Sequence, residues 1–352
     1  MKIVHLTYTM TYGGIETMLV NIANVQAKTD QVYIVLINDK YELPLLQTLD
    51  KIVSFVNVGR PVGSKNPWFL FKLNLMLRKI SPDIIHVHHP GIIRFMIPQM
   101  YRMSNIVFTM HDIPVKGDMD YLYKYKTIYA ISKSVQDSLS KIGVKSEVVT
   151  NGILPDKFEK RDACHKHSTF RMVQIGRLYH EKKGQDFMID VCAYLYHQGY
   201  RNFHLDFIGD GSSLGYLQEK VKKAKLENNI TFLGAKEQSY ICDNLKNYDL
   251  FLQPSRREGF GLTVAEAMAA KVPVLVSKQE GPLEIIDKGR FGFYFVVDDV
   301  KDCADKIKEI INCQDLNPLL ELALSRVEEN YNVKNTAIKY LDCYRKLLLE
   351  RR

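Results

Sequence analysis

The stretch SRREGFGLTVAEAMA places two carboxylates, Glu258 and Glu266, eight positions apart with a Gly-Phe-Gly between them. A helical pattern begins near Gly261, and the backbone N–H groups of Phe260, Gly261 and Leu262 would point at an anion there. Glu258, in the loop, is suited to accept hydrogen bonds from sugar hydroxyls, and Glu266 from a vicinal diol such as ribose. The stretch therefore predicts a ligand that carries both phosphate and hydroxyl groups.

A second basic segment, QIGRLYHEKKGQD, lies earlier in the same half of the chain. Arg177 follows an apolar strand pattern directly, and Lys182 and Lys183 come before the next helix. An arginine guanidinium can donate two hydrogen bonds to phosphate oxygens, and a lysine ammonium neutralises their charge. The segment predicts a diphosphate site, with a solvated basic loop as the alternative.

Gly13 and Gly14 stand between the first strand pattern and a helix. Backbone without side chains at a helix N-terminus lets an anion approach the free amides. A tight turn that needs a positive φ explains the pair equally well. Both interpretations stay open.

Short apolar runs alternate with 3.6-residue periodicity along most of the chain, which is βαβ organisation with parallel sheets. A polar, turn-rich segment at 151–169 interrupts the alternation, and a second series follows. We therefore expect an α/β protein of two doubly wound, Rossmann-like domains, with the ligand at the carboxyl ends of the strands in the cleft between them. The predicted domains are 1–160, 161–330 and a C-terminal helix, 331–352, that returns to the first domain.

The composition fits a cytosolic protein. Six cysteines without a C-x-x-C pair are typical of reduced core thiols in a 352-residue chain that is 46% hydrophobic. The N-terminus enters a strand pattern directly, and no segment reaches the roughly 18 apolar residues of a membrane span. We expect a cytoplasmic protein that is neither secreted by that route nor integral to a membrane.

Positive charge is concentrated in the first half: residues 1–162 hold 20 Lys and Arg against 14 Asp and Glu, which is +6 of the total +8. No nucleic-acid-binding motif accompanies this charge. The segment KNPWFLFKLNLMLRK, residues 65–79, interleaves aromatic and basic side chains. Peripheral contact with an anionic membrane and an ordinary amphipathic helix packed on a sheet are the two interpretations.

Seven motifs together resemble the retaining family 4 glycosyltransferases of the GT-B fold. In order they are YGGIETM, PDIIHVHHP, FTMHD, NGI, GRLYHEKKGQD, EGFGLTVAEAMA and EGPLEII, and they cover nearly the whole chain. The two glutamates with seven residues between them are the most specific of these marks.

The resemblance implies a role for each matching residue. Glu258 would contact hydroxyls of the donor sugar and Glu266 the ribose, while Arg177 and a lysine would hold the diphosphate. The family shows a single lysine before its glycine, whereas this chain has two; we favour Lys182, because its distance from Leu178 is the commoner one. The remaining expected donor-side residues are Gly13, Gly14, Phe260, Gly261 and Leu262, and His111 would lie beside the reacting sugar.

The implied activity is retaining transfer of a hexose or N-acetylhexosamine from a nucleoside diphosphate sugar, expected to be a UDP-sugar, to an acceptor hydroxyl. The acceptor would be a saccharide or a lipid-linked or protein-linked group, in polysaccharide or glycoconjugate synthesis. Nucleotide-sugar epimerisation and a non-catalytic nucleotide-sugar-binding subunit are the alternatives.

We expect no cofactor and no metal. The acidic pair in DMD, residues 118–120, resembles the metal ligands of the other large glycosyltransferase fold, but arginine, lysine and helix amides already meet the diphosphate charge. The histidines of HVHH and CHKH lack a second ligand pair at finger-like spacing. His86, His88 and His89 are instead predicted to line the acceptor side of the cleft.

Overall fold

The computed structural model describes residues 1–114, 120–162 and 168–350, which form two units. Unit 1 comprises Met1–Ile153 together with the chain from Val333 onward, and unit 2 is Leu154–Asn332. The division falls at Ile153 and Leu154, ahead of the predicted position at 160, and the return to unit 1 falls at Val333.

Unit 1 contains a seven-stranded sheet in which every pair of neighbouring strands is parallel, in the order β3-β2-β1-β4-β5-β6-β7. The strands are β1 Lys2–Thr7, β2 Gln31–Asn38, β3 Ser54–Arg60, β4 Ile84–Val87, β5 Asn105–Met110, β6 Thr127–Ala130 and β7 Glu147–Val148. The helices are α1 Gly14–Gln26, α2 Leu43–Gln47, α3 Trp68–Ile80, α4 Pro98–Met103 and α5 Lys133–Ser140, with 3₁₀ turns at Ile92–Phe95 and Asp120–Lys124.

Unit 2 contains a six-stranded sheet, also parallel throughout, in the order β10-β9-β8-β11-β12-β13. The strands are β8 Phe170–Ile175, β9 Phe203–Ile208, β10 Ile230–Gly234, β11 Leu250–Gln253, β12 Val274–Ser277 and β13 Phe293–Phe295. The helices are α6 His180–Lys183, α7 Gln185–His197, α8 Leu214–Ala224, α9 Gln238–Asn244, α10 Leu262–Ala269, α11 Glu280–Ile285, α12 Val300–Asn312 and α13 Asn317–Asn330, with 3₁₀ turns at Pro155–Lys157, Leu245–Asn247 and Asp287–Gly289.

The strand sequences are apolar along their length because helices cover both faces of each sheet. In β1, Ile3, Val4 and Leu6 are all fully buried. In unit 2, Leu250 and Leu252 of β11 belong to the core that α7 and α12 close. Both units are thus doubly wound α/β layers, which confirms the predicted fold class.

Each sheet reverses its strand order once, between β1 and β4 in unit 1 and between β8 and β11 in unit 2. The loops that leave the carboxyl ends of two such strands run in opposite directions and leave a crevice. Thr7 and Val87 end the two strands in unit 1, and Ile175 and Gln253 end those in unit 2. Most of the predicted site residues follow one of these four ends.

The last helix, α14 (Val333–Leu349), packs on α1 of unit 1. Val333 N donates to Ile153 O at 2.7 Å, and Thr336 Oγ1 donates to Thr150 O at 2.9 Å. Its buried face includes Tyr340 and Tyr344. The C-terminal helix is therefore part of the core of unit 1.

No helix within the described residues is both long enough and apolar enough to cross a membrane. The described cysteines carry free thiols, four of them buried (Cys192, Cys242, Cys303 and Cys343) and one, Cys313, exposed. Cys164 lies outside the described residues.

Candidate functional site

Glu258 lies in the loop after β11 and has three polar neighbours in unit 2. Lys183 Nζ is 2.5 Å from Glu258 Oε2, and Gln253 Nε2 donates to the same oxygen at 2.9 Å. Ser255 Oγ lies 3.5 Å away. The carboxylate is therefore held in one orientation by a cation and an amide, and all three neighbours lie at or after the carboxyl end of β8 or β11.

Lys183 reaches Glu258 because α6 lies against the loop that follows β11. Gly184 ends α6 with a φ of +68°, in the left-handed region where glycine is favoured. A side chain at this position would collide with the carbonyl oxygen of Pro254. The close approach of the two backbones explains why a glycine follows the two lysines.

Arg256 fixes the same loop from the other side. Its guanidinium bonds to Asp186 Oδ1 at 2.9 Å and to Asp298 Oδ1 at 2.9 Å, and Nη1 donates to His180 O at 2.8 Å. Sequence reasoning missed this role of Arg256, and it also missed Gln253. The polar glutamine at the end of a buried strand was a usable signal, whereas the partners of Arg256 are distant in sequence.

Glu266 lies on α10 and is almost completely buried, with 9% of its surface exposed. Gln238 Nε2, at the start of α9, donates to Glu266 Oε1 at 2.9 Å. Burial raises the pKa of Glu266 to about 7, and the hydrogen bond from Gln238 acts in the opposite direction. The side chain of Glu266 is thus poorly solvated, and its carboxylate oxygens can accept hydrogen bonds from a ligand that carries hydroxyl groups.

The N-terminus of α10 faces the same loop. Gly261 precedes the helix with a φ of 106°, and the first helical bond runs from Val264 N to Gly261 O. The amides of Phe260, Gly261 and Leu262 therefore come before the bonded part of the helix. Gly281 packs closely on this loop, since a Cβ there would lie 2.6 Å from Glu258 O and 2.8 Å from Phe260 N.

Arg177 and Lys182 also follow β8, and it is Lys183 whose side chain contacts Glu258. Arg177 is exposed, and its backbone oxygen accepts a hydrogen bond from Gln185 Nε2 at 3.0 Å. Lys182 O accepts from Arg256 N at 2.9 Å, which places its backbone beside the loop. The structure thus brings Lys183, Glu258 and the N-terminus of α10 together and leaves the side chain of Arg177 exposed to solvent.

In unit 1, Gly13 caps α1 and Gly14 is its first residue. Gly13 has an extended φ of −172°, so this position does not need glycine for its backbone conformation. The carboxylate of Glu16, in the first turn, reaches back to the space that a side chain on Gly13 would occupy. An anion site at this helix end stays a prediction.

His86 and His88 are fully buried in unit 1, so the prediction that they line an acceptor surface is wrong. His86 Nδ1 contacts Tyr344 OH at 2.5 Å, and His86 Nε2 contacts Thr109 Oγ1 at 2.7 Å. They belong to a buried polar network because β4 is a central strand that α14 helps to cover. His89 is partly exposed beside the ring of Tyr8, and its predicted role stays open.

His111 follows β5, and its Nε2 lies 3.2 Å from His88 Nδ1. Within the described chain, the one group with metal-ligand spacing is His5, His86 and His88. The segment CHKH and Asp118 lie outside the described residues, and the side chain of Asp120 is outside them as well.

Two family models match the chain in succession. The Glycosyltransferase Family 4 model matches residues 12–157, and the Glycosyl transferases group 1 model matches residues 156–328. The chain belongs to the family 4 glycosyltransferases. Residues 12–328, which include every predicted site residue, fall within the two matches.

Two curated relatives of this glycosyltransferase are informative. The amylovoran biosynthesis glycosyltransferase AmsK of Erwinia amylovora is 31% identical over 214 residues, which is 57% of this chain and 52% of that protein. The N-acetyl-alpha-D-glucosaminyl L-malate synthase of Bacillus anthracis is 26% identical over 298 residues, covering 78% of this chain and 77% of that protein.

The fold is shared with solved structures. Anabaena Alr3699/HepE, in complex with UDP and glucose, superposes with a TM-score of 0.82 at 20% identity, covering 97% of this chain and 99% of that one. At this identity the likeness establishes the GT-B fold of this glycosyltransferase.

Proposed function

We propose that this glycosyltransferase moves a hexose or N-acetylhexosamine from a UDP-sugar to an acceptor hydroxyl, with retention at the anomeric carbon. The observation that carries the proposal is the convergence of Glu258, Lys183 and the N-terminus of α10 at the β8–β11 crevice, with Glu266 buried in the same helix. The carboxylate of Glu258 suits a sugar, Lys183 and the free amides of α10 suit a diphosphate, and the carboxylate of Glu266 suits a ribose.

The donor-binding roles follow from the chemistry of each group. The ionised carboxylate of Glu266 would accept both ribose hydroxyls, while Gln238 holds its Oε1 in place. Lys183, Arg177 and the amides of α10 would neutralise the diphosphate. Of the two lysines, the contact with Glu258 favours Lys183 over Lys182, which reverses the preference drawn from spacing.

Glu258 would orient the transferred sugar. Its carboxylate is paired with Lys183, and carboxylate oxygens accept hydrogen bonds from sugar hydroxyls. We therefore assign Glu258 to positioning the sugar and stabilising the positive charge that develops on it. The leaving diphosphate would help to remove the proton from the acceptor hydroxyl on the same face, which retains the configuration.

Unit 1 would supply His111 to the transferred sugar, Gly13 and Gly14 to the diphosphate, and a surface including His89 to the acceptor. Two relatives support a sugar-transfer reaction in synthesis: one is named for amylovoran biosynthesis and the other as an N-acetyl-alpha-D-glucosaminyl L-malate synthase. A UDP donor is supported by HepE, which was solved with UDP and glucose. We place the reaction in the cytoplasm, in polysaccharide or glycoconjugate synthesis.

We propose that no metal and no cofactor take part, since Lys183, Arg177 and helix amides provide the positive charge for the leaving group. Calorimetric titration with UDP, GDP and ADP in excess EDTA tests the donor site. We expect UDP to bind, and to bind at least tenfold more weakly to Glu266→Ala, because a charge-assisted hydrogen bond contributes about 1.5–3 kcal/mol. Binding that needs Mn²⁺, or equal UDP affinity in the variant, would contradict the proposal.

A further inference from the structure

A row of buried imidazoles in unit 1 connects α1 to His111. His5 Nε2 contacts Gln26 Oε1 at 2.8 Å, and His5 Nδ1 contacts His88 Nε2 at 3.0 Å. His88 Nδ1 in turn contacts His111 Nε2 at 3.2 Å. Gln26, His5, His88 and His111 therefore form one continuous hydrogen-bonded row, called the histidine relay below.

The three imidazoles are neutral near pH 7. Burial lowers the pKa of His5 to about 4 and that of His111 to about 3, and it holds the pKa of His88 well below its usual value. Neighbouring histidines act in the same direction on His88 and His111. Each ring consequently carries one N–H and one lone pair.

A neutral imidazole that donates a hydrogen bond from one nitrogen can only accept one at the other. The partner at one end of the row therefore determines the tautomer of all three imidazoles. The oxygen of the Gln26 amide faces His5, and therefore His5 carries its proton on Nε2. His5 Nδ1 then accepts from His88 Nε2–H. His88 Nδ1 in turn accepts from His111 Nε2–H, which leaves a lone pair on His111 Nδ1.

His111 Nδ1 is shielded from water and has no hydrogen-bond partner among the described residues. The ring itself is partly exposed at the end of β5. A shielded acceptor without a partner is a place for a hydroxyl donor. We propose that Gln26 is a positioning residue that, through His5 and His88, fixes His111 as a hydrogen-bond acceptor for a hydroxyl of the transferred sugar.

This inference rests on the proposed function, in which His111 contacts the transferred sugar. It adds the direction of the hydrogen bond between them. The sugar hydroxyl donates to His111 Nδ1, and His111 cannot act as an acid toward the sugar. It also gives α1 two roles, since its first residue, Gly14, lies at the proposed diphosphate end and its last, Gln26, starts the relay.

His86 lies beside the relay but is not part of it. Both of its nitrogens are bonded to hydroxyl groups, those of Tyr344 and Thr109. The relay nitrogens of His5 and His88 face each other. A metal bound by the three histidines would have to break these bonds, so the hydrogen-bonded arrangement is the one that the side chains support.

The tautomers can be read directly in the protein without donor, by long-range ¹H–¹⁵N spectra of histidine-labelled samples. We expect the Nε2–H form for His5, His88 and His111 in the wild type. Gln26→Glu keeps an acceptor and is expected to keep these tautomers. Gln26→Met removes the acceptor that fixes the row. One end N–H then lacks a partner in either arrangement, at His5 Nε2 or at His111 Nδ1, so the preference for Nε2–H should be lost and the Nδ1–H forms should become populated.

Thr109→Val is the matched control, because it removes one equally buried partner of His86 and leaves the relay intact. Turnover of the donor should fall about threefold to tenfold in Gln26→Met, the range for one lost hydrogen bond, and recover in Gln26→Glu. An Nδ1–H on wild-type His111, or an unchanged His111 signal in a folded Gln26→Met protein, would overturn the relay. Because the spectra need no donor, a protein that transfers no sugar would refute the proposed function and leave this result standing.

Discussion

At the scale of single residues, the two glutamates of the EGFGLTVAE motif differ in environment. Glu258 is paired with Lys183, whereas Glu266 is buried and accepts a hydrogen bond from the amide of Gln238. The first carboxylate is therefore oriented by a cation. The second has a pKa raised to about 7 by burial, so its charge changes within the physiological range.

Donor binding should consequently depend on pH through Glu266. Since the pKa is raised, the carboxylate is ionised above about pH 7 and protonated below it. If only the ionised form accepts both ribose hydroxyls, affinity for a UDP-sugar should fall about tenfold from pH 8 to pH 6. Calorimetry with a UDP-sugar measures this, because its substituted diphosphate does not titrate there. Glu266→Gln should show a flat profile, and an equally steep one would assign the dependence to another group.

The two lysines before Gly184 should differ in importance. Lys183→Ala removes the cation beside Glu258 and should lower donor turnover roughly tenfold to a hundredfold, the range for a hydrogen bond to a charged group. Lys182→Ala also removes one positive charge and is therefore the matched control. We expect it to lower donor turnover by less than threefold. Steady-state kinetics of donor hydrolysis compares them, and a larger loss in Lys182→Ala would restore the preference drawn from sequence spacing.

The residue types and their spacing were sufficient to predict the local structure around Glu258 and Glu266, because a loop glutamate, a helix start and a helical glutamate follow one another locally. The roles of both residues toward a ligand stay predictions. Gln238 and Arg256 could not be assigned, since their partners lie on other elements. Gln253 was missed although a polar residue at the end of a buried strand is a usable signal. His86 and His88 were assigned wrongly. Their place at the end of an apolar run predicted exposure, but β4 is central and α14 adds Tyr344 as a partner.

At the scale of elements, α3 presents an apolar and basic outer face. Trp68 and Phe71 are 57% and 58% exposed, and their rings stack at 5.4 Å. Lys65 and Lys79 are exposed nearby, whereas Lys72 Nζ is bonded to Val58 O at 2.6 Å. The inner face packs through Leu73 and Leu77, as an amphipathic helix on a sheet would. Contact of the outer face with an anionic membrane stays a prediction.

We expect this outer face to bind anionic vesicles in a salt-sensitive way, because exposed charge is screened over roughly 8 Å at physiological ionic strength. Trp68→Ser with Phe71→Ser, and separately Lys65→Glu with Lys79→Glu, should weaken sedimentation with vesicles while leaving donor hydrolysis unchanged. Lys222→Glu with Lys301→Glu, on unit 2, is the charge-matched control. Equal sedimentation of all four proteins, or none at low salt, would indicate a solvated face and a soluble acceptor.

At the scale of the whole molecule, the alternation of apolar runs and helical periodicity predicted two parallel α/β sheets, because strands covered on both faces are apolar throughout. Strand order could not be read from the sequence. The reversal between β8 and β11 is what brings the segment with Lys183 beside the one with Glu258. The sequence did indicate that the last helix returns to the first domain, and α14 packs on α1.

The central claim is retaining transfer from a UDP-sugar, and ¹H NMR of the anomeric protons tests it most directly. Purified protein is incubated in EDTA with a panel of UDP-sugars, and the sugar first released to water, or to an added acceptor, is identified before it equilibrates. We predict that one UDP-sugar is consumed with stoichiometric release of UDP, and that the new anomeric signal has the configuration of the donor. A product of inverted configuration, interconversion of two UDP-sugars without release of UDP, or no consumption of any donor would contradict the account.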